Sequence, residues 1–185
     1  MEQHMKNIKK HIFTTATQKI LDFLIANTDK QSTEKEITEK TGVKKSAVNL
    51  ALKELVKDGL LEKEKIGRTS VHSLSKDHAI IKELKILQNI IQIYPLVEKI
   101  KPLSQKIVLF GSSARGTNTT ESDIDIFVQS NNPEEIKRII DSSELKERIQ
   151  LIVKMPKEMV VINKEKPLIF QEIDKGRILF DNYAK

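Results

Sequence analysis

Asp123 and Asp125 stand two residues apart in the stretch SDIDIFV, each followed by an isoleucine. Side chains two apart on a β-strand share a face, so the two carboxylates are expected to point one way while Ile124 and Ile126 point into a core. Like charges held side by side repel, and a divalent cation relieves that repulsion; hard oxygen donors at this spacing suit Mg2+ bridging to substrate phosphates. Upstream, the β-branched and aromatic run KIVLF predicts a buried strand, and GSSARG after it predicts a tight turn bounded by glycines. The Gly111-Ser112 step can offer backbone N–H groups and a hydroxyl to a phosphate, since glycine allows close backbone approach. A plain turn followed by a strand with one wet face would have similar composition, so the joint pattern carries the reading.

That joint pattern is Gly-Ser, ten residues, then Asp-x-Asp. It resembles the nucleotidyltransferase superfamily that includes DNA polymerase β, most closely its minimal prokaryotic members. The likeness extends from about Pro95 to the end of the chain, where PLIFQEIDKGRILFDN looks like the closing helix and strand of that family. The resemblance implies that Gly111 and Ser112 hold the phosphates of a nucleoside triphosphate, with ATP the expected one, and that Arg115 adds a phosphate contact. It implies that Asp123 and Asp125 are catalytic residues that bind Mg2+, which orients the attacking hydroxyl and neutralises charge at the transferred phosphorus. In the family a third carboxylate stands on the next central strand. Here that strand is RIQLIVK, and the expected acidic position holds Gln150, an amide that is no base at neutral pH and a poorer metal ligand. Glu147 or Asp141 would take its place under a different strand register.

The first half of the chain is organised differently. Phe13, Ile20, Leu21 and Leu24 recur at helical spacing and predict a helix over residues 14–27, ended by NTDKQS. Thr33 followed by Glu36 is a capping-box signal for a short helix to about Lys40, broken by Gly42. Val48, Leu52 and Leu55 then form the buried stripe of a helix from about Lys45 to Asp58, with Lys45, Ser46, Asn49 and Lys53 away from it and Gly59 as its stop. Around Gly67, LLEKEKIGRTSVHSLS reads as a hairpin with Lys65, Arg68 and His72 near its tip or flanks.

This order, over residues 13–76, resembles the winged helix-turn-helix of bacterial and archaeal transcriptional regulators. The resemblance implies that duplex DNA is a partner, with base-reading or phosphate roles for Lys45, Ser46 and Asn49 and phosphate roles for Lys53, Lys65 and Arg68. Winged helices also serve as protein interaction modules. Lys44 stands where a small N-cap residue is usual, so the cap of the third helix is expected to be weak or shifted.

Between the halves, Ile80, Leu84, Leu87, Ile91 and Tyr94 follow the alternating four and three spacing of packed helices, and Ile86, Ile90 and Ile93 mark a second apolar line. Two readings stay open: an interdomain core helix, or a homodimer or protein partner docked through residues 80–94. Pro95 is expected to break the rod, with a short helix starting at the proline.

Composition narrows the class. The 185 residues are 38% hydrophobic and 31% charged, which suits an ordered globular chain of one domain or two small ones. There is no cysteine, so disulfides and thiolate metal sites are excluded, and His4, His11, His72 and His78 lack metal-ligand spacing. No apolar run approaches the ~18 residues of a membrane helix, and the expected location is the cytoplasm. The net charge of +6 is concentrated in the first half, which suits a polyanionic partner. The expected architecture is an α/β (α+β) chain. A winged helix-turn-helix occupies residues 1–76, a helical connector residues 77–94, and a minimal nucleotidyltransferase domain with a mixed β-sheet residues 95–185. The expected function is Mg2+-dependent nucleotidyl transfer to an acceptor delivered through the DNA-binding domain. The alternative is a transcriptional regulator whose second domain senses a nucleotide without transferring it.

Overall fold

The computed structural model of the chain describes residues 8–158 and 167–182. It divides between Gln88 and Asn89 into two compact units. In the N-terminal unit, helix α1 (Ala16–Ala26) opens on a complete capping box: the Thr15 hydroxyl accepts the Gln18 amide and the Gln18 side chain accepts the Thr15 amide. A short strand β1 (Ser32–Thr33) leads into α2 (Glu34–Thr41), where Thr33 accepts the Glu36 amide at 3.2 Å. Helix α3 (Lys45–Lys57) follows, and its N-cap Lys44 makes no side-chain cap bond, as its chemistry predicts. Strands β2 (Leu61–Ile66) and β3 (Thr69–Leu74) form a hairpin in which Gly67 takes a φ of 60°, a conformation costly for any other residue at a two-residue turn. The sheet order is β1-β3-β2, all antiparallel. Ile20, Leu24, Ile37, Val48, Leu52 and Leu55 meet in one core beneath the helices, so the predicted stripes converge in a helix-turn-helix-type unit followed by a hairpin.

Helix α4 (Ala79–Ile100) runs unbroken with Pro95 inside it. This corrects the expected break at Tyr94. Proline removes one intrahelical hydrogen bond and disfavours helix at the preceding residue, but burial around it offsets that cost. Ile91, Ile93, Leu96, Val97 and Ile100 are all buried, and Pro95 is buried with them. The helix serves both cores: Ile81 and Leu84 join the N-terminal one, whereas Ile90, Ile93, Leu96, Val97 and Ile100 join the C-terminal one, a division by position along the helix that does not follow the two expected lines. Ile80 and Tyr94 stay exposed.

The C-terminal unit is built on a four-stranded mixed sheet of order β6-β5-β4-β7. Strand β4 (Lys106–Phe110) pairs antiparallel with β5 (Ile124–Gln129) on one side and with β7 (Arg177–Asp181) on the other, and β6 (Ile149–Lys154) pairs parallel with β5. A parallel pair needs a crossover, supplied here by α6 (Pro133–Asp141). On one face, Ile107, Leu109, Ile124, Ile126 and Val128 pack with Ile136 and Ile140 of α6 and the end of α4. On the other, Val108, Phe110 and Phe127 meet Ile173 of α7 (Pro167–Asp174). Apolar cover on both faces explains why KIVLF and IFV are continuous hydrophobic runs. Among the described residues, no helix is long and apolar enough to cross a membrane.

Candidate active site and nucleic-acid interface

The chemistry of the C-terminal unit is set at the ends of β4 and β5. Strand β4 ends at Phe110 and turns directly into a five-residue helix, α5 (Gly111–Arg115), whose C-cap is Gly116. Phe110 is registered against Asp125 on β5, so the first residue of the turn meets the aspartate. Gly111 has a φ of +66°, and a Cβ on it would come within 2.0 Å of Asp125 Oδ2 and 2.9 Å of its Cγ. Only glycine therefore satisfies both the backbone and the carboxylate at this point. Asp125 occupies the space a side chain at Gly111 would fill.

Ile124 and Ile126 are buried as the alternation predicts, and Asp125 is half-buried on the opposite face together with Phe127. Asp123 is exposed just before the strand begins. Burial, and next the Asp123 carboxylate, push the Asp125 carboxyl above its ordinary range. Arg115 opposes the rise, and Glu172 of α7 adds to it. Ionisation of Asp125 is thus harder than for a solvated carboxyl, and a cation placed beside it would offset that cost. Arg115, the expected phosphate contact, is ion-paired with Glu172. Glu172 was not legible as a site residue in the sequence. It lies 57 residues from Arg115, and no spacing rule links them.

The strand register places Gln150 of β6 directly beside Asp125. Glu147 lies exposed in a turn next to Lys146, and Asp141 ends α6 in solvent, so neither shares that register position. Among the described residues, no group of three or more His, Cys, Asp or Glu side chains is arranged to hold a metal ion. The two aspartates fit a hard divalent cation as part of a donor set completed by substrate oxygens and water.

In the N-terminal unit, Lys45, Ser46 and Lys53 of α3 and Lys65 and Arg68 of the hairpin are exposed. Asn49 differs: it is half-buried, and its Nδ2 donates to Glu34 Oε1 of α2 at 3.1 Å. Its amide braces α3 on α2, so base reading would require that bond to open. Leu50, missed in the sequence because it lies off the buried stripe, is exposed on the helix between Ser46 and Lys53. A concave surface of about 670 Å³ is lined by Lys45 and Arg68 together with Glu34, Thr38 and Ser70. His72 is not at the hairpin's wet flank. It is buried in mid-strand, registered with Ser32 and Lys63, and among the described residues its Nδ1 finds no hydrogen-bond partner. Burial, then Lys63, hold its pKa below the ordinary histidine value.

Residues 90–179 match the nucleotidyltransferase domain family, and residues 29–83 match the Mnd1 HTH domain. A search of curated proteins found no match to the chain. The chain therefore carries a nucleotidyltransferase domain preceded by a helix-turn-helix domain.

Proposed function

We propose that the C-terminal unit transfers a nucleotidyl group from a nucleoside triphosphate, ATP foremost, to a hydroxyl acceptor with Mg2+ as cofactor, and that the helix-turn-helix unit binds duplex DNA. The observation that carries the reading is the seating of Asp125 against the bare Cα of Gly111. It brings the turn that would cradle phosphates within contact of a carboxylate that would hold their metal. Asp123 and Asp125 would hold Mg2+, which when bound supplies charge neutralisation at the transferred phosphorus. The amides of the Gly111-Ser112 turn and the Ser112 hydroxyl would orient the triphosphate, and Arg115 would leave Glu172 to meet a phosphate oxygen. In transfer, the acceptor hydroxyl gives its proton to solvent, its oxygen bonds to the α-phosphorus, the bond from that phosphorus to the β-phosphate oxygen breaks, and pyrophosphate leaves. The cytoplasm supplies both DNA and nucleoside triphosphates.

A second reading, a transcriptional regulator that senses a nucleotide without turnover, is favoured by Gln150. Gln150 is registered with Asp125, and if the third carboxylate implied by the resemblance belongs there, its amide can neither deprotonate a hydroxyl nor match a carboxylate as a ligand. Calorimetric titration with Mg2+ and ATP tests what both readings share. Binding is expected in the wild type and lost in Asp123→Asn with Asp125→Asn; unchanged affinity in the double variant would overturn the metal-site assignment. The folded-state carboxyl of Asp125 titrates above its unfolded value, so its stabilising contribution is present below the unfolded value and lost as pH rises through the folded one. At neutral pH the double variant should accordingly be as stable as the wild type or slightly more so. Labelled ATP then separates transferase from sensor by whether label moves to a protein or nucleic-acid acceptor.

A further inference from the structure

Asn89 is a buried amide on α4, 7% exposed, between Gln88 and Ile90. A buried amide is retained at a cost unless its hydrogen bonds are made. Its Nδ2 donates to the Ser113 carbonyl at 3.0 Å and to Asn118 Oδ1 at 3.0 Å, and Asn118 Nδ2 reaches back to Asn89 Oδ1 at 3.4 Å. The carbonyls at the end of a helix lack intrahelical partners, and in α5 they are shared out. Ser112 O accepts from the amides of Gly116 and Thr117, and Ser113 O accepts from Asn89. Ser113 is itself buried, and its hydroxyl reaches the backbone carbonyl of Asp123 at 3.4 Å. A single side chain on α4 thus braces α5, which begins at Gly111, and the loop from Asn118 that delivers Asp123.

We propose that Asn89 is a positioning residue of the nucleotidyltransferase site, fixing the Gly111-Ser112 turn relative to Asp123. It lies one residue ahead of the segment that matches the nucleotidyltransferase domain. The inference rests on the nucleotide reading of that site, because the groups Asn89 braces matter only if phosphates and a cation are held between them. Asn89 does not touch the reacting atoms. Loss of its bonds lets the turn and the Asp123 loop move apart, and displacements of about 1 Å in such sites cost up to about a hundredfold.

The test is Mg2+-ATP affinity by calorimetry in the full chain, beside amide exchange of residues 112–118. Asn89→Ala is expected to weaken binding by up to roughly tenfold, the equivalent of about one hydrogen bond, and to speed exchange in that segment while the sheet stays protected. Asn118→Asp, which keeps the acceptor of the 3.0 Å bond but gives up the 3.4 Å donor, is expected to retain more affinity than Asn118→Ala, which gives up both. Asn118→Ala breaks the same clamp from the loop side and is read the same way should Asn89→Ala fail to fold. Wild-type affinity in either alanine variant, with the protein folded, overturns the proposal and leaves the nucleotide reading standing. A wild type that binds no Mg2+-ATP overturns the nucleotide reading, and the positioning role with it.

Discussion

Gly111→Ala is the sharpest probe of how the turn and the aspartate are fitted together. An alanine there carries two separable costs. The backbone cost of a left-handed φ is about 1–2 kcal/mol. The steric cost arises because the new Cβ would sit 2.0 Å from Asp125 Oδ2, so the carboxylate must swing away. Its Cβ, 3.4 Å off, can stay, so the side chain can answer by leaving its rotamer, at about 0.5–1.5 kcal/mol. The total destabilisation expected is about 2–3 kcal/mol. Gly59 provides the control: it has a φ of +73° with nothing within 4 Å of where a Cβ would stand, so Gly59→Ala should show only the backbone part. Chemical denaturation followed by amide exchange in each unit measures both. In an Asp125→Ala background the obstructing carboxylate is gone, and Gly111→Ala should fall to the cost of Gly59→Ala, a coupling of about 1 kcal/mol. Because the displaced carboxylate is the one proposed to hold Mg2+, the single variant should also lose Mg2+-ATP binding while still folded. Equal costs in the two backgrounds, with wild-type nucleotide affinity, would refute the reasoning.

Gln150→Asp places a carboxylate in register with Asp125 and is expected to raise label transfer by roughly the hundredfold of a positioned general base; brisk wild-type transfer with no gain in the variant would assign the base elsewhere. Neutralising Lys65 and Arg68, both exposed on the hairpin, should reduce the salt slope of DNA binding by about 2, at ~0.9 per phosphate contact. Absence of binding to any duplex at low salt would instead make the unit a protein interaction surface. The depressed pKa of His72 means that below its unfolded value, near 6.5, the unfolded chain takes up a proton that the folded unit resists. Stability of the N-terminal unit should therefore fall as pH drops from about 6.5 toward the folded value. His72→Gln, which keeps a donor without a titratable ring, should flatten that dependence in denaturant titrations at pH 5 and 7.

Local sequence determined the elements because the forces that start and stop them act within a few residues. The Thr33–Glu36 cap, Gly42 and Gly59 as helix stops, Gly67 at the hairpin and the stripe of Val48, Leu52 and Leu55 were all legible for that reason. The strands KIVLF and IDIFV and the glycine that starts the turn between them were legible too, since β-branched runs and a glycine turn are local signals, whereas Asp123 falls just before the strand and the register that sets Gln150 opposite Asp125 comes from sheet pairing. Tertiary structure decided what depends on packing between distant segments. Burial of one face, with Ile93, Pro95, Leu96 and Val97 in the core, carried α4 through Pro95 against the local preference for a break. Closure of the hairpin on β1 buried His72, and the meeting of α2 with α3 took up the Asn49 amide. Glu172 reached Arg115, and Asn89 reached Ser113, only because helices far along the chain lie beside the turn in the folded unit. Such contacts leave no periodic trace, because their partners are chosen by the shape of the core and not by their separation along the chain.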